Sequence, residues 1–292
     1  MVYRITRRGA LAGACAMAAT YAIAGERNLP GDELTRLASR YKGRLGVAAL
    51  DSETGRRLSL RGGERFALCS TFKFLAAAAV LHRVDLGTER LHRRIGYGKA
   101  DLLDYAPVTS RHAAEGSMTL SDLCAAAVEW SDNTAGNLIL ATLGGPEGLT
   151  RYLRSLGDDI TRLDRTEPAL NDVEPNDPRD TTTPEAMLGL MRTLLLGNAL
   201  SAASRAQLLA WLRGCQTGQH RLAAGLPSGW QIGDKTGTGP KGEANDIAIA
   251  HPPGRKPLLI AAYYQGADDT AATRNAVHAD VARAVVRAFG TA

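Results

Sequence analysis

Leu45-Gly46-Val47-Ala48-Ala49-Leu50-Asp51 is an apolar run closed by a polar turn at residues 52–55 and followed by Arg57-Leu58-Ser59-Leu60. Two short runs around a turn read as a β-hairpin. Strand-like runs return only near the other end of the chain, at residues 230–235, 246–251 and 258–264. Helical patterns lie outside this hairpin at 33–42 and 269–289. Between the two strand groups they follow at 71–84, from Thr119 to about Glu129, and at 146–156, 184–196 and 202–212. Strands at both ends with helices between them imply one sheet built from both termini and an all-helical insertion. The fold class expected is therefore α/β in the α+β sense.

Residues 71–84 are almost entirely apolar, as expected of a helix buried on all sides. Thr119 and Asp122 form a capping-box-like pair at the start of the next helix. Residues 164–184 are polar, carry prolines and show no periodicity. A loop of that length in a compact domain is usually functional.

The 292 residues are 45% hydrophobic and 22% charged, which excludes disorder, collagen and coiled coil. Four cysteines are too sparse for a disulfide scaffold, and 5% aromatic residues argue against a base-stacking platform. The N-terminus carries Arg4, Arg7 and Arg8 without an acid, then an apolar Ala-rich run and Ala22-Ile23-Ala24. That pattern is a secretory signal peptide over residues 1–24. Thr6-Arg7-Arg8-Gly9-Ala10-Leu11 further suggests the twin-arginine route to the periplasm or exterior. A membrane anchor is disfavoured by the short, Ala-rich run, and lipidation at Cys15 by imperfect spacing. Removing the signal takes three of the five net positive charges, leaving +2, so no polyanion partner is expected. The mature chain is expected to be soluble, to bind neither nucleic acid nor membrane, and to keep Cys69, Cys124 and Cys215 as small buried residues.

Ser70-Thr71-Phe72-Lys73 opens the buried helix and places Ser70 and Lys73 one turn apart on one face. A serine hydroxyl becomes a nucleophile only when a neighbouring base takes its proton. Spacing alone is weak, since Ser and Lys three apart occur about once by chance in a chain this long. A second copy stands at Ser39-Arg40-Tyr41-Lys42, in a polar stretch. Ser131-Asp132-Asn133 and Lys235-Thr236-Gly237 follow in order, and each such tripeptide is expected by chance in about one chain in twenty. Asp132 is read as structural, bonding backbone in the turn that presents Ser131 and Asn133. His82, His92, His112, His220, His251 and His278 show no metal-ligand spacing, so no metal and no cofactor are expected.

SxxK, SDN and KTG in this order are a known signature of class A β-lactamases and penicillin-binding proteins. With Glu167-Pro168-Ala169-Leu170-Asn171 matching the ExxLN loop motif, the mature chain resembles a class A serine β-lactamase over essentially its whole length. The resemblance implies a five-stranded antiparallel sheet flanked by helices, with the catalytic cleft between it and the helical unit. The implied boundaries are 25–65 and 213–292 for the α/β unit and 66–212 for the helical one, which carries the loop 164–180. It further implies a monomer acting on penicillins and cephalosporins. Ser70 would be acylated, its proton going to Lys73 or, through a water, to Glu167, and Glu167 with Asn171 would activate the deacylating water. Ser131 would relay a proton to the lactam nitrogen, Asn133 would hold the substrate's side-chain amide, and Tyr105 would stand at the cleft rim. Backbone N–H groups of Ser70 and Thr238 would form the oxyanion hole. Lys235, Thr236, Gly237 and Thr238 would receive the substrate carboxylate, and Arg165 with Asp180 would tie the loop. Many members place an Arg on the next strand where Ala244 stands here, and Arg221 is the expected substitute. Cys69 lacks the partner found in some members, because Gly239 stands at that position.

Two competing classes are weaker. A cell-wall DD-peptidase shares Ser70, Lys73 and the KTG motif but lacks the ExxLN machinery. A non-catalytic β-lactam sensor would need a membrane-linked signalling region.

Overall fold

The structure is a computed structural model that describes residues 27–28 and 31–290. The expected signal peptide, with Cys15, lies outside the described residues. In chain order the strands are β1 (Arg27–Asn28), β2 (Arg44–Asp51), β3 (Arg56–Leu60), β4 (Phe66–Ala67), β5 (Arg94–Gly96), β6 (Ser117–Thr119), β7 (Thr181–Thr182), β8 (Gln231–Thr238), β9 (Glu243–His251) and β10 (Leu258–Gln265). The helices are α1 (Asp32–Ala38), α2 (Phe72–Asp85), α3 (Thr109–His112), α4 (Leu120–Glu129), α5 (Asn133–Leu143), α6 (Gly145–Ser155), α7 (Pro184–Leu195), α8 (Ala202–Arg213) and α9 (Ala271–Phe289).

The main sheet has the order β1-β3-β2-β10-β9-β8. Its five long strands are antiparallel, as expected, and the two-residue β1 adds a parallel edge on β3. Successive side chains of a strand point to opposite faces, so the alternation within each strand sorts two cores. Val47, Ala49, Ile260, Ala262 and Tyr264 pack with α1 and α9 on one face. Ala48, Leu50, Leu259, Ala261 and Tyr263 pack with the helices from α2 to α8 on the other. The buried stretch from Phe72 to Leu81 is the axis of that second core.

Where the structure departs from the sequence reading, local chemistry explains it. The helix expected over 33–42 stops at Ala38, where the Ser39 hydroxyl bonds the Arg36 carbonyl and Gly43 turns to meet Tyr264. Helix α5 was not expected at all. Asn133, Thr134, Gly136 and Asn137 dilute its periodicity, and Asp132 starts it by accepting the Ala135 N–H at 2.9 Å. The long loop contains a turn of 3-10 helix at Ala169–Asn171 and ends in β7, which pairs with β4. Thr119 caps α4 as expected, accepting the Asp122 N–H.

Candidate active site

Cys69–Thr71 is a 3-10 turn that runs into α2 and buries Ser70 and Lys73. Cys69 holds a positive φ of 43°, a conformation that costs about 1–3 kcal/mol in a non-glycine residue and is found mostly at functional sites. Lys73 is the one charged side chain in the buried stretch from Phe72 to Leu81, so its ammonium must be paired. Its Nζ donates to Ser70 Oγ at 2.9 Å, to the Ser131 carbonyl at 2.8 Å and to Asn133 Oδ1 at 2.6 Å, and lies 3.1 Å from Glu167 Oε1. Burial lowers its pKa, and the Glu167 carboxylate opposes that shift. Gly136 on α5 makes room for this chain, because a Cβ there would sit 2.8 Å from Lys73 Cε.

The turn before α5 is fixed by Asp132. Its carboxylate accepts the N–H groups of Val108 and Thr109 and the Thr109 hydroxyl, at 2.9–3.0 Å. Ser131 is thereby held at φ 59°, with its hydroxyl accepting from Lys235 Nζ at 2.9 Å. The Asn133 N–H donates to the Tyr105 carbonyl at 2.9 Å, and the Tyr105 ring is half exposed.

Glu167 reaches Ser70 from the long loop. Ser70 Oγ donates to Glu167 Oε1 at 3.3 Å, and Asn171 Nδ2 donates to the other carboxylate oxygen at 2.6 Å. Asn137, which sequence reasoning missed, clamps the Glu167 backbone from both sides. Its Oδ1 accepts the Glu167 N–H and its Nδ2 donates to the Glu167 carbonyl, both at 2.9 Å. The available signal was its place one turn after Asn133 on α5. At the root of the loop the fully buried Asp180 accepts the N–H groups of Asp164 and Arg165 and pairs with Arg165 Nε at 2.6 Å.

Lys235 lies opposite on β8, fully buried, with burial and the neighbouring cations Lys73 and Arg221 pulling its pKa down to about 7. Thr236 shares a hydrogen bond with Thr217, and Gly237 lets the strand close on Leu68 and Cys69. Thr238 ends the strand with its hydroxyl accepting from Arg221 Nη2 at 2.7 Å. Arg221 is buried, its Nη1 serving the Gly237 and Asn245 carbonyls and its Nε serving Asn275. It therefore lies behind the strand and meets Thr238 from there, and does not present an open fork. Asn275 and Asn245, whose amide ties β9 to the Ala67 carbonyl, are further supports that the motifs did not reveal.

The site thus brings Ser70, Lys73, Ser131, Asn133, Glu167, Asn171 and Lys235 into one chain of hydrogen bonds. A family model described as "Beta-lactamase enzyme family" matches residues 30–289. The chain belongs to the class A serine β-lactamases. It is 46% identical over 257 residues to β-lactamase CTX-M-8 of Citrobacter amalonaticus, covering 88% of each chain. To β-lactamase OXY-2 of Klebsiella oxytoca it is 47% identical over 253 residues, 87% of each. The structure of an ancestral class A β-lactamase shares 58% identity with a TM-score of 0.87, over 89% of this chain and 99% of that one.

As a class A β-lactamase the protein is a β-lactam hydrolase and a resistance enzyme. Cys69 and Cys124 are buried and Cys215 is partly buried, all three free. Among the described residues, no helix is long and apolar enough to cross a membrane.

Proposed function

We propose that this β-lactamase opens penicillins and cephalosporins through an ester on Ser70 that Glu167 then hydrolyses. The observation that carries the reading is the contact of Ser70 Oγ with both Lys73 Nζ and Glu167 Oε1, at 2.9 and 3.3 Å. Ser70 attacks the lactam carbonyl as its proton leaves either to a neutral Lys73 amine or to the Glu167 carboxylate, and the resulting Lys73 ammonium keeps its charge beside the reacting oxygen. The backbone N–H groups of Ser70 and Thr238 receive the oxyanion, where each such donor is worth about 10²–10³ in rate. Ser131, bonded to Lys235, passes a proton to the departing lactam nitrogen and regains one from the group that took the Ser70 proton. Lys235, Thr236 and Thr238 bind the substrate carboxylate, with Arg221 adding charge from behind. The Asn133 amide oxygen is taken by Lys73, which leaves Nδ2 to donate to the substrate's side-chain carbonyl.

Deacylation needs a water held by Glu167 and Asn171. Asn171 Nδ2 is committed to Glu167, and its buried Oδ1 has no protein partner, so that oxygen is an acceptor for the water. Residues 66–212 and the sheet unit, 25–65 with 213–292, form the two walls of the site, and Tyr105 stands at the rim. The mature enzyme works as a monomer in the periplasm or outside the cell, after export by the twin-arginine route.

The test is steady-state turnover of a penicillin and a chromogenic cephalosporin, with intact mass measured for Glu167→Ala. In that variant burial acts on Lys73 without the opposing carboxylate, so more of it is neutral and able to take the Ser70 proton. A persistent adduct of substrate mass on Ser70 is expected, with kcat down about 10²–10⁴-fold. Stable labelling of the parent enzyme without turnover would return the reading to a DD-peptidase.

A further inference from the structure

Asn245 is buried on β9, directly across from Gly237 of the KTG motif. Antiparallel strands exchange hydrogen bonds at alternate pairs. The Gly239 N–H donates to the Glu243 carbonyl at 3.1 Å, so the next bonded pair is Gly237 with Asn245, and the Thr238 N–H between them points away from β9. β8 is the edge of the sheet, which leaves that N–H without a strand partner. The Asn245 side chain meanwhile reaches out of the sheet towards the nucleophile. Its Nδ2 donates to the Ala67 carbonyl at 2.9 Å and to the Leu68 carbonyl at 3.3 Å, just ahead of Cys69 and Ser70. Its backbone carbonyl accepts from Arg221 Nη1 at 2.7 Å, the same nitrogen that holds the Gly237 carbonyl at 2.8 Å. A Cβ on Gly237 would lie 3.1 Å from Cys69 Cβ and 3.2 Å from Asn245 Nδ2, so β8 and the nucleophile turn close together over this amide.

We infer that Asn245 is a positioning residue for the oxyanion hole, setting the spacing between the Ser70 and Thr238 N–H groups. The inference rests on the proposed use of those two donors. They belong to segments far apart in sequence, and each must lie about 2.7–3.1 Å from the oxygen that becomes charged. Asn245 joins those segments: its backbone pairs with the strand that carries Thr238, and its side chain holds the residues that lead into Ser70. Two features make this tie a matter of aim and not of bulk. Cys69 holds φ 43°, a conformation that persists only where its surroundings impose it, and the amide grips the two residues just before it. Both bonds from Nδ2 end on that one segment, so without them nothing from the Asn245 side chain fixes it against β9.

The experiment traps the benzylpenicillin ester on Glu167→Ala and reads its carbonyl stretch by difference infrared spectroscopy. A carbonyl oxygen held by two N–H donors absorbs at lower frequency than a free ester, so adding Asn245→Ala should move the band to higher frequency. With Glu167 intact, Asn245→Ala should lower kcat about ten- to hundredfold and change KM less than about threefold, because acylation and deacylation both pass through the oxyanion. Asn245→Ser, too short to span to Ala67, should give the same two changes and serves if the alanine variant does not fold. Val281→Ala opens a cavity in the core on the opposite face of the sheet, and should lower Tm while leaving the band and kcat in place. An unmoved band, a rise in KM without a fall in kcat, or the same band shift in Val281→Ala would each overturn the assignment. Absence of any persistent ester in Glu167→Ala itself would overturn the mechanism proposed above, and this inference with it.

Discussion

The sequence spells Ser-x-x-Lys twice, and the two copies end in opposite circumstances. Ser39 and Lys42 follow the short helix α1, both exposed, with the Ser39 hydroxyl spent on the Arg36 carbonyl at 2.8 Å. Ser70 and Lys73 are buried, with Lys73 fully enclosed and Nζ pointed at Ser70 Oγ. The spacing is identical, so spacing is not what makes a nucleophile. What differs is that the second lysine has been taken out of water and its hydrogen bonds directed at one hydroxyl, one carbonyl, one amide and one carboxylate.

That contrast can be broken at its centre. Ser70→Ala should lower kcat about 10⁴–10⁶-fold, as removal of a serine nucleophile does elsewhere, whereas Ser39→Ala should change it less than twofold in the same assay. Lys73→Ala is expected to cost about 10²–10⁴-fold, measured as the acylation rate, and Lys42→Ala nothing beyond error. Gly136→Ala leaves both copies unchanged in sequence, yet its new methyl would press on Lys73 Cε from 2.8 Å. A displacement near 1 Å costs about 10²-fold, so kcat should fall by that order while the melting curve holds. A stable variant with parental kcat would show that Lys73 need not be so closely aimed.

Acidity offers a milder probe. With its pKa near 7, Lys235 loses its charge as pH rises through neutrality, and carboxylate binding takes that proton back up. KM for a penicillin should therefore climb above about pH 7, by at most about tenfold per pH unit, and a KM flat to about pH 9 would remove Lys235 from carboxylate binding. Asp180→Asn gives the smallest kinetic change and mainly a stability loss. Weakening the Arg165 ion pair and the two N–H bonds should cost about 1–3 kcal/mol, read as a fall of several degrees in Tm.

The elements that sequence revealed are those whose signal is local. The apolar stretch of α2, the Thr119 cap, the strand runs and the ordered motifs each announce themselves within a few residues. Helix α5 stayed hidden because its first two turns carry residues committed to the site: Asn133 bonds Lys73, Gly136 clears space for it, and Asn137 clamps Glu167. Each choice lowers helix propensity, which only the tertiary packing of Ile139, Leu140 and Leu143 recovers. Arg221 was legible as a cation but not as one enclosed by carbonyls from β8 and β9, because those partners are distant in sequence. Asn245 and Asn275 were invisible for the same reason.

The sheet order also dictates a timetable. β10 lies between β2 and β9, so the last strand to be synthesised is the one that joins the N-terminal hairpin to the strands carrying Lys235. Until Leu258–Gln265 has left the ribosome, β2 and β9 each keep a bare edge, an invitation to mispairing that a growing chain must survive. A truncation that removes β10 therefore splits the sheet at its middle.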